Sequence, residues 1–292
     1  MKQNEPIALI GLGLLGSALA TRLLQGGFSL FGFDPSTEAV EQFRELGGTP
    51  AESAAAAAKQ ARTVILSLPN SSIVEAVIAE ILDLAPGQRW IVDTTTGTPE
   101  ISANLAERLG KLGMQYLDLT IAGSSRELLA GQVVGMIGGS NEDLAELQPM
   151  LATFARQSFA LGKAGDAARM KLVTNMALGL HRAVLAETLV FADSQGFPAE
   201  LAIEVLKSTS SYSRVMDIKG HKMVNGDFTP DARLRQHLKD VKLMREEGEA
   251  AGLELPLTRL HDELLSQAVE EGWGDLDNSA VLRVLQKRRV SQ

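Results

Sequence analysis

The chain has 292 residues, of which 45% are hydrophobic, and it contains no cysteine. Its net charge of -8 and pI of about 5.2 provide no basic field for nucleic acid or an anionic membrane. The lack of cysteine excludes disulfides, thiolate catalysis and cysteine-ligated metals. No signal-peptide pattern and no long apolar run occur, so we expect a cytoplasmic protein without a membrane span.

Short apolar runs alternate with helical stretches over roughly the first half of the chain. The runs are IALIG (7–11), SLFGFD (29–34), TVILSLP (63–69), WIVDTTT (90–96), MQYLDLTIAG (114–123) and VVGMIGG (133–139). Strands separated by helices predict right-handed βαβ units and a parallel sheet. A helix is expected from residue 36, and the alanine-rich segment 51–60 predicts a short one, because alanine has the best helix propensity.

The strand pattern stops near residue 162. Helices are predicted at 165–195, 198–207, 231–251, 256–271 and 277–287, with glycine and proline between them. We therefore predict an α/β domain at 1–162 and an all-α domain at 163–292, joined by a long helix. A helix of this length that is apolar on most sides must be buried on most sides. Both burial within one subunit and a homodimer or homotetramer satisfy that requirement.

A glycine-rich loop, GLGLLG at 11–16, follows the first predicted strand and opens the first predicted helix. Gly11 permits a tight turn, Gly13 lets the backbone approach a pyrophosphate, and Gly16 lets helix and strand pack closely. Free N–H groups at the start of the helix would bind the phosphates. The predicted contacts are Gly11, Leu12, Gly13, Leu14, Leu15 and Gly16. The pattern indicates a Rossmann-type dinucleotide-binding domain; the alternative is a glycine turn in an unrelated α/β protein.

Asp34 ends the second predicted strand, in FGFDPS. A carboxylate at this place can accept hydrogen bonds from the adenosine ribose hydroxyls, and it would repel the extra phosphate of NADP. No lysine or arginine follows closely to offset this repulsion. The sequence therefore favours NAD over NADP.

The glycine loop, the aspartate after the second strand and the motifs that follow them along the chain resemble those of the β-hydroxyacid dehydrogenase family. This family includes 3-hydroxyisobutyrate dehydrogenase and tartronate semialdehyde reductase. The resemblance covers nearly the whole chain. It implies a Rossmann-type N-terminal domain and an all-helical C-terminal domain like that of 6-phosphogluconate dehydrogenase. It also implies an oxidoreductase that transfers a hydride between NAD and a small, anionic 3-hydroxy acid or its semialdehyde.

The resemblance carries further cofactor residues over to this chain. Leu68 and Pro69 lie in the matching turn SLPNSS, and Thr96 lies in DTTTGTP, where Thr95 and Thr96 would be near the nicotinamide. Lys239 is the lysine of the family's lysine–aspartate pair, which Asp240 completes in HLKDVKLM.

The substrate loop, DLTIAGSS at 118–125, departs from the family pattern. Asp118 and Gly123 match, but Ala122 replaces the usual serine and Ser124 replaces the second glycine. The residues expected to meet substrate are Thr96, Ala122, Gly123, Ser124, Lys171 and Asn175. The lost hydroxyl leaves the identity of the hydroxy acid open, although Ser124 or Ser125 could supply one from a shifted position. Arg126 could meet an anionic substrate or lie at the surface.

The segment GDAARMKLVTN matches the family's catalytic helix, with Gly165, Lys171 and Asn175 in the family's order. Thr174 stands where the family usually has a further asparagine. Without the resemblance, the stripe formed by residues 171, 175, 178 and 182 is more typical of a polar helix edge in water. With it, Lys171 is the expected general acid/base, and Asn175 orients the lysine or the substrate hydroxyl.

Two other classes of function stay open, and no metal is expected. The four histidines, at 181, 221, 237 and 261, show no ligand spacing and are predicted to be surface or partly buried residues. An imine reductase-like enzyme would share the fold, but those relatives generally lack the lysine. A non-catalytic, regulatory dinucleotide-binding protein is the second alternative.

Overall fold

The computed structural model describes residues 5–84 and 90–288. The chain divides into two compact units, Met1–Lys171 and Leu172–Gln292. The boundary predicted at 162/163 stays a prediction. No helix within the described ranges is long and apolar enough to cross a membrane.

The described strands of the first unit form one mixed β-sheet. Its strands are β1 (Ile7–Ile10), β2 (Leu30–Phe33), β3 (Thr49–Pro50), β4 (Thr63–Leu66), β5 (Trp90–Asp93), β6 (Gln115–Ala122), β7 (Val133–Gly138) and β8 (Ala155–Ala160). The order across the sheet is β3-β2-β1-β4-β5-β6-β7-β8. The first six strands pair in parallel, as in a Rossmann-type fold. The predicted α/β architecture is thereby confirmed.

Helices connect these strands and cover the sheet. They are α1 (Leu14–Gln25), α2 (Thr37–Glu45), α3 (Ala54–Ala58), α4 (Ser71–Leu84), α5 (Pro99–Gly110), α6 (Ser125–Leu129) and α7 (Asn141–Leu151). Alternate residues of β1 belong to two different apolar clusters, with Ile7 and Leu9 in one and Ala8 and Ile10 in the other. A strand that is buried on both faces is expected where helices flank both sides of a parallel sheet.

The prediction of a wholly parallel sheet was wrong at its far edge. β7 pairs antiparallel with β6, and β8 then pairs parallel with β7. The connection at 123–132 includes only the short α6, whereas a parallel crossover needs about a dozen residues or more. β8 was missed because it carries Arg156, Gln157 and Ser158 and has no apolar run; β3 was missed because it has only two residues.

The second unit is helical, as predicted. Its helices are α8 (Asp166–Ser194), α9 (Ala199–Lys207), α10 (Val215–Asn225), α11 (Leu234–Ala250), α12 (Pro256–Glu270), a 3-10 turn (Asn278–Ala280) and α13 (Val281–Lys287). The first residues of α8, up to Lys171, belong to the first unit. The prediction missed α10, whose buried positions include Lys219 and Lys222 and therefore give no clean apolar stripe. Leucine, valine and methionine side chains of α8, α11 and α12 form much of the core.

Candidate active site

The predicted cofactor residues of the first unit lie in loops at the carboxyl ends of the parallel strands. Because β1, β2, β4 and β5 are parallel, the loops that follow them start at the same edge. Backbone hydrogen bonds join these loops: Gly11 N–H donates to Phe33 O (2.9 Å), and Ser67 N–H donates to Ile10 O (2.8 Å). The glycine loop thus begins between β2 and β4.

The three glycines of the loop have different surroundings. Gly11 has φ +95°, and a Cβ there would lie 2.2 Å from Ser67 O. A Cβ at Gly16 would lie 2.0 Å from Gly11 O, so close packing requires glycine at both places. A Cβ at Gly13 would meet nothing within 4 Å in the described part of the chain. Gly13 therefore leaves its side of the loop open to a ligand.

Gly13 is also the N-cap of α1, and no side chain among the described residues caps that helix. The first N–H groups of a helix have no partner within the helix, and the dipole adds partial positive charge there. Of the three leucines in the loop, Leu12 is buried, Leu15 is half-buried and Leu14 is exposed. The start of α1 is thus suited to an anionic group such as a pyrophosphate.

Asp34 contacts the glycine loop directly. Its Oδ2 accepts a hydrogen bond from Leu12 N–H (2.7 Å), and its Oδ1 accepts one from Ser36 N–H (2.8 Å). Each carboxylate oxygen has a second lone pair, so the half-buried side chain can still accept hydrogen bonds from ribose hydroxyls.

The loops after β4 and β5 are joined by side-chain hydrogen bonds. Leu68 N–H donates to Thr95 Oγ1 (3.1 Å), and Thr94 Oγ1 donates to Leu66 O (2.8 Å). Pro69 is exposed and Thr96 is half-buried. The bond from Leu68 to Thr95 fixes the two predicted nicotinamide-side loops relative to each other.

Asp93 supports the same threonine loop, a role that the sequence does not predict. Its Oδ1 accepts from Thr95 N–H (2.9 Å), and its Oδ2 accepts from the Tyr116 hydroxyl (2.7 Å). Burial raises the pKa of Asp93 to about 6, although the hydrogen bonds from Thr95 and Tyr116 oppose the increase. The position of Asp93, directly before TTT and at the end of a buried strand, is the sequence feature that could have indicated this role.

The predicted substrate loop starts at the end of β6. Ala122 is the last residue of that strand, and Gly123 follows with φ +150°. A Cβ at Gly123 would lie 2.6 Å from Val133 Cγ1. Ser124 caps α6: its Oγ accepts from Glu127 N–H (3.2 Å) and its N–H donates to Glu127 Oε2 (3.0 Å). The Ser124 hydroxyl is thus engaged in its own helix cap.

Lys171 lies beside this loop within the first unit. Its Nζ donates a hydrogen bond to the carbonyl oxygen of Ile121 (2.6 Å), the residue immediately before Ala122. The lysine side chain is half-buried. A lysine of a solvated helix edge would keep its ammonium in water, whereas this ammonium is bound at the end of β6.

The remaining predicted residues lie in the second unit, where they share one carboxylate. Asn175 is buried, and its Nδ2 donates to Asp240 Oδ2 (3.0 Å). Lys239 Nζ lies 3.5 Å from Asp240 Oδ1. Asn175 and Arg182 are both buried, so these two polar residues of the stripe do not face water, although Leu178 between them is exposed.

The expectation that all four histidines are surface or partly buried residues was wrong for two of them. His237 and His261 are buried, with their Nε2 atoms 3.1 Å apart. Burial and the positive charge of Arg182 lower the pKa of His261 to about 4. Gly179 makes room for the pair, because a Cβ there would lie 2.5 Å from His237 Nε2. These contacts join three helices, and local spacing gives no sign of them.

Known protein families match almost the whole chain. The family model for the NAD binding domain of 6-phosphogluconate dehydrogenase matches residues 6–162. The model described as NAD-binding of NADP-dependent 3-hydroxyisobutyrate dehydrogenase matches residues 165–285. The two models therefore cover both the sheet region and the helical region.

Curated relatives and solved structures agree with these matches. The 2-(hydroxymethyl)glutarate dehydrogenase of Eubacterium barkeri is 28% identical over 288 residues, with 97% of this chain and 96% of the relative covered. The 3-sulfolactaldehyde reductase of Escherichia coli is 30% identical over 287 residues, covering 94% of each chain. A structure of Mycobacterium tuberculosis 3-hydroxyisobutyrate dehydrogenase with L-serine is 25% identical, with a TM-score of 0.86 and coverage of 97% and 99%.

Proposed function

Because the chain belongs to the β-hydroxyacid dehydrogenase family, we propose that it interconverts a small 3-hydroxy acid and the matching semialdehyde, with NAD as cofactor and Lys171 as general acid/base. The chain is an oxidoreductase that acts on CH–OH groups, and it has NAD(P)-binding domains. The proposal adds to this the substrate class, the choice between NAD and NADP and the role of the lysine.

The position of the Lys171 ammonium is the observation that carries the proposal. One of its protons is donated to Ile121 O, directly before the loop of Ala122 and Gly123. An ammonium group has three N–H donors, so it can donate to more than one oxygen. In reduction, Lys171 gives a proton to the carbonyl oxygen; in oxidation, the neutral amine removes the hydroxyl proton. The cofactor, when bound, supplies or accepts the hydride.

The residues of the first unit fit a dinucleotide. The N–H groups at the start of α1 bind the pyrophosphate beside Gly13, where the chain has no Cβ, and Asp34 accepts hydrogen bonds from the ribose hydroxyls. Leu68, Pro69 and Thr96 are proposed for the nicotinamide half, and Lys239 is proposed as a further cofactor-binding residue. NAD is preferred because the carboxylate of Asp34 repels the additional phosphate of NADP.

The variant Asp34→Ala tests the choice of cofactor. It removes both the hydrogen bonds to the ribose hydroxyls and the repulsion of the NADP phosphate. NAD should therefore bind more weakly, and the affinity for NADP should fall less. Glu38→Ala is the matched control, because Glu38 is an exposed carboxylate at the start of α2. Fluorescence titrations of both cofactors provide the affinities. Tighter binding of NADP than of NAD by the unaltered protein would contradict this reading of Asp34.

The substrate is proposed to be a small acid with a negative charge. Two relatives act on compounds of this kind by their names, 2-(hydroxymethyl)glutarate and 3-sulfolactaldehyde. The loop of this chain differs because Ala122 has no hydroxyl and that of Ser124 caps α6. We therefore expect weaker binding of the shortest hydroxy acids than a serine at 122 would give.

A substrate screen with the purified protein tests the function directly. Reduced-nicotinamide absorbance is followed with a panel of 3-hydroxy acids in one direction and semialdehydes in the other. Lys171→Met should lower the turnover that the screen finds by roughly a hundredfold or more, while Lys163→Met, at an exposed lysine of the same unit, should leave it unchanged. Cofactor binding without turnover of any compound would instead favour the non-catalytic regulatory protein. Turnover of cyclic imines alone would favour an imine reductase.

Self-association is proposed from one face of α8. Val173, Val184 and Phe191 repeat at helical spacing on this face and are 59%, 61% and 64% exposed. A row of large apolar side chains in water is typical of a surface that another molecule covers, and we propose a homodimer or homotetramer. Val184→Asp should lower the molar mass measured by light scattering. Leu112→Asp, at an exposed leucine of the first unit, should leave it unchanged.

A further inference from the structure

The carboxylate of Asp118 joins β6 to the first turn of α8. Its Oδ1 accepts a hydrogen bond from Gly165 N–H, and its Oδ2 accepts one from Ala168 N–H, both at 2.9 Å. The side chain is 1% exposed. Burial raises the pKa of Asp118, and the two backbone donors oppose the increase. A carboxylate at this end of a helix satisfies N–H groups that lack helical partners and interacts favourably with the helix dipole.

Two glycines provide the space for this contact. Gly138 of β7 pairs with Asp118, and a Cβ there would lie 1.9 Å from Asp118 Oδ1. Gly165 has φ +93°, and a Cβ there would lie 2.6 Å from Pro99 O. The carboxylate therefore has a fixed place between β7 and the start of α8. This also gives a physical reason for the glycine that precedes the lysine in GDAARMK.

Neighbouring positions of β6 contact the first two turns of α8. Thr120 Oγ1 donates to Ala167 O (3.0 Å), and Ile121 O accepts from Lys171 Nζ (2.6 Å). Residues 118, 120 and 121 of one strand thus hold residues 165–171. Lys171 follows Ala168 by three residues, less than one helical turn, so a displacement of the first turn moves the lysine with it.

We propose that Asp118 is a positioning residue, which holds the first turn of α8 so that the Lys171 ammonium lies at the Ile121 carbonyl. This inference rests on the proposed role of Lys171 as general acid/base. In this role Asp118 does not contact the substrate and acts only through the backbone of the helix. Loss of the anchor reduces turnover because catalysis depends steeply on the placement of the reacting groups.

The variant Asp118→Asn tests the anchor. Asparagine has nearly the same size, but its amide retains one acceptor oxygen, and its NH2 group opposes a backbone N–H. Turnover should fall on the order of ten- to a hundredfold, with the dissociation constant of NAD little changed. The matched control is Asp143→Asn, because Asp143 Oδ2 accepts from Ser140 N–H (2.8 Å) in the cap of α7. That helix carries no proposed site residue, so turnover should be unaffected.

A double-mutant cycle separates positioning from a general structural role. If Asp118 acts through the lysine, Asp118→Asn should cause no further loss in the Lys171→Met background. An equal loss in both backgrounds would overturn the inference and leave the role of Lys171 intact. Normal turnover of Lys171→Met alone would refute the proposed function itself.

A second variant keeps the test decisive if Asp118→Asn folds poorly. Thr120→Val removes the hydrogen bond to Ala167 O with almost no change of shape. It should reduce turnover by a smaller factor, about two- to fivefold for one neutral hydrogen bond, and only when Lys171 is present. A loss that is independent of Lys171 would again contradict the positioning role.

Discussion

The two units use their buried polar side chains differently. In the first unit, the carboxylates of Asp93 and Asp118 accept hydrogen bonds mainly from backbone N–H groups of loops and of a helix start. In the second, Asp277 and Asp231 lie between helices and form an ion-pair network with the buried Lys219 of α10, and Asp277 also accepts hydrogen bonds from backbone N–H groups. Buried aspartates of both units thus fix backbone geometry, and the helical unit differs in that Asp277 also pairs with a buried ammonium, that of Lys219.

Asp277 should be the most sensitive position of the second unit. Burial alone would raise its pKa, but Lys219 and Ser279 hold it below the usual value. Its Oδ2 lies 2.8 Å from the ammonium of Lys219, which is itself buried. Asp277→Ala leaves that ammonium with less compensation, so the free energy of unfolding should fall by about 3–5 kcal/mol. Urea denaturation measures this loss.

The exposed ion pair between Asp275 and Arg235, at 2.7 Å, is the control for Asp277. Asp275→Ala should cost less than about 1 kcal/mol, because both side chains are in water. Similar losses in the two variants would show that burial does not distinguish these aspartates.

His261 should make the protein less stable in acid. Its pKa is lowered from 6.5 to about 4 by burial and by Arg182, so the unfolded chain binds a proton more readily. The free energy of unfolding should therefore fall by about 3 kcal/mol as the pH decreases from about 6.5 to 4. His261→Gln should remove this part of the pH dependence in urea denaturation series. His221→Gln, at an exposed histidine, should retain it.

Asp93 of the first unit should act in the opposite direction over nearly the same pH range. Its pKa is raised from 3.8 to about 6, so the folded protein binds the proton more tightly than the unfolded chain does. This contribution is complete below about pH 4 and is lost as the pH rises through 6, with a size of about 3 kcal/mol. Asp93→Asn should remove it. The contrast between the units fails if both variants change the pH dependence in the same direction.

Asn175→Ala should have a smaller effect on turnover than loss of Lys171. The amide donates to the buried carboxylate of Asp240 and transfers no proton. We expect turnover to fall on the order of tenfold, against roughly a hundredfold for a positioned acid/base. Steady-state kinetics of Asn175→Ala beside Lys171→Met measures the two losses. A larger loss for Asn175→Ala would show that the asparagine is the more important group.

Ala122→Ser should produce the smallest change. A new hydroxyl that meets the substrate contributes about 0.5–1.5 kcal/mol, or roughly a two- to tenfold lower KM for 3-hydroxyisobutyrate-like acids. Ala130→Ser, at an exposed alanine after α6, is the control. Unchanged kinetic constants for Ala122→Ser would mean that position 122 does not touch substrate.

The sequence predicts features that depend on neighbouring residues. The runs IALI and TVIL become central strands because every position in them is apolar or β-branched. GLGLLG follows the first strand and continues into the first turn of α1. The run VVGMIGG predicts the strand β7, but no local signal gives its antiparallel direction, and the polar β8 has no apolar run at all. The polar sequence of α10 likewise obscured a helix that tertiary packing stabilises.

The candidate site also contains residues that the sequence predicts and contacts that it does not. Lys171 and Asn175 were identified through the order of the motifs, but the anchor of the lysine joins residues 47 positions apart, Asp118 and Gly165. The contact between His237 and His261 depends on the absence of a side chain at Gly179, on a third helix. Such contacts follow from the tertiary arrangement, which local periodicity does not contain.

The pH dependence of oxidation tests the role of Lys171 most directly. In the unaltered protein, turnover of the hydroxy acid should rise with pH through one ionisation, because only the neutral amine can accept the hydroxyl proton. In Lys171→Met, that ionisation should disappear and turnover should fall by roughly a hundredfold or more, with NAD binding retained. Near-normal turnover of the variant with the same pH profile would show that the ammonium at the Ile121 carbonyl has no part in proton transfer.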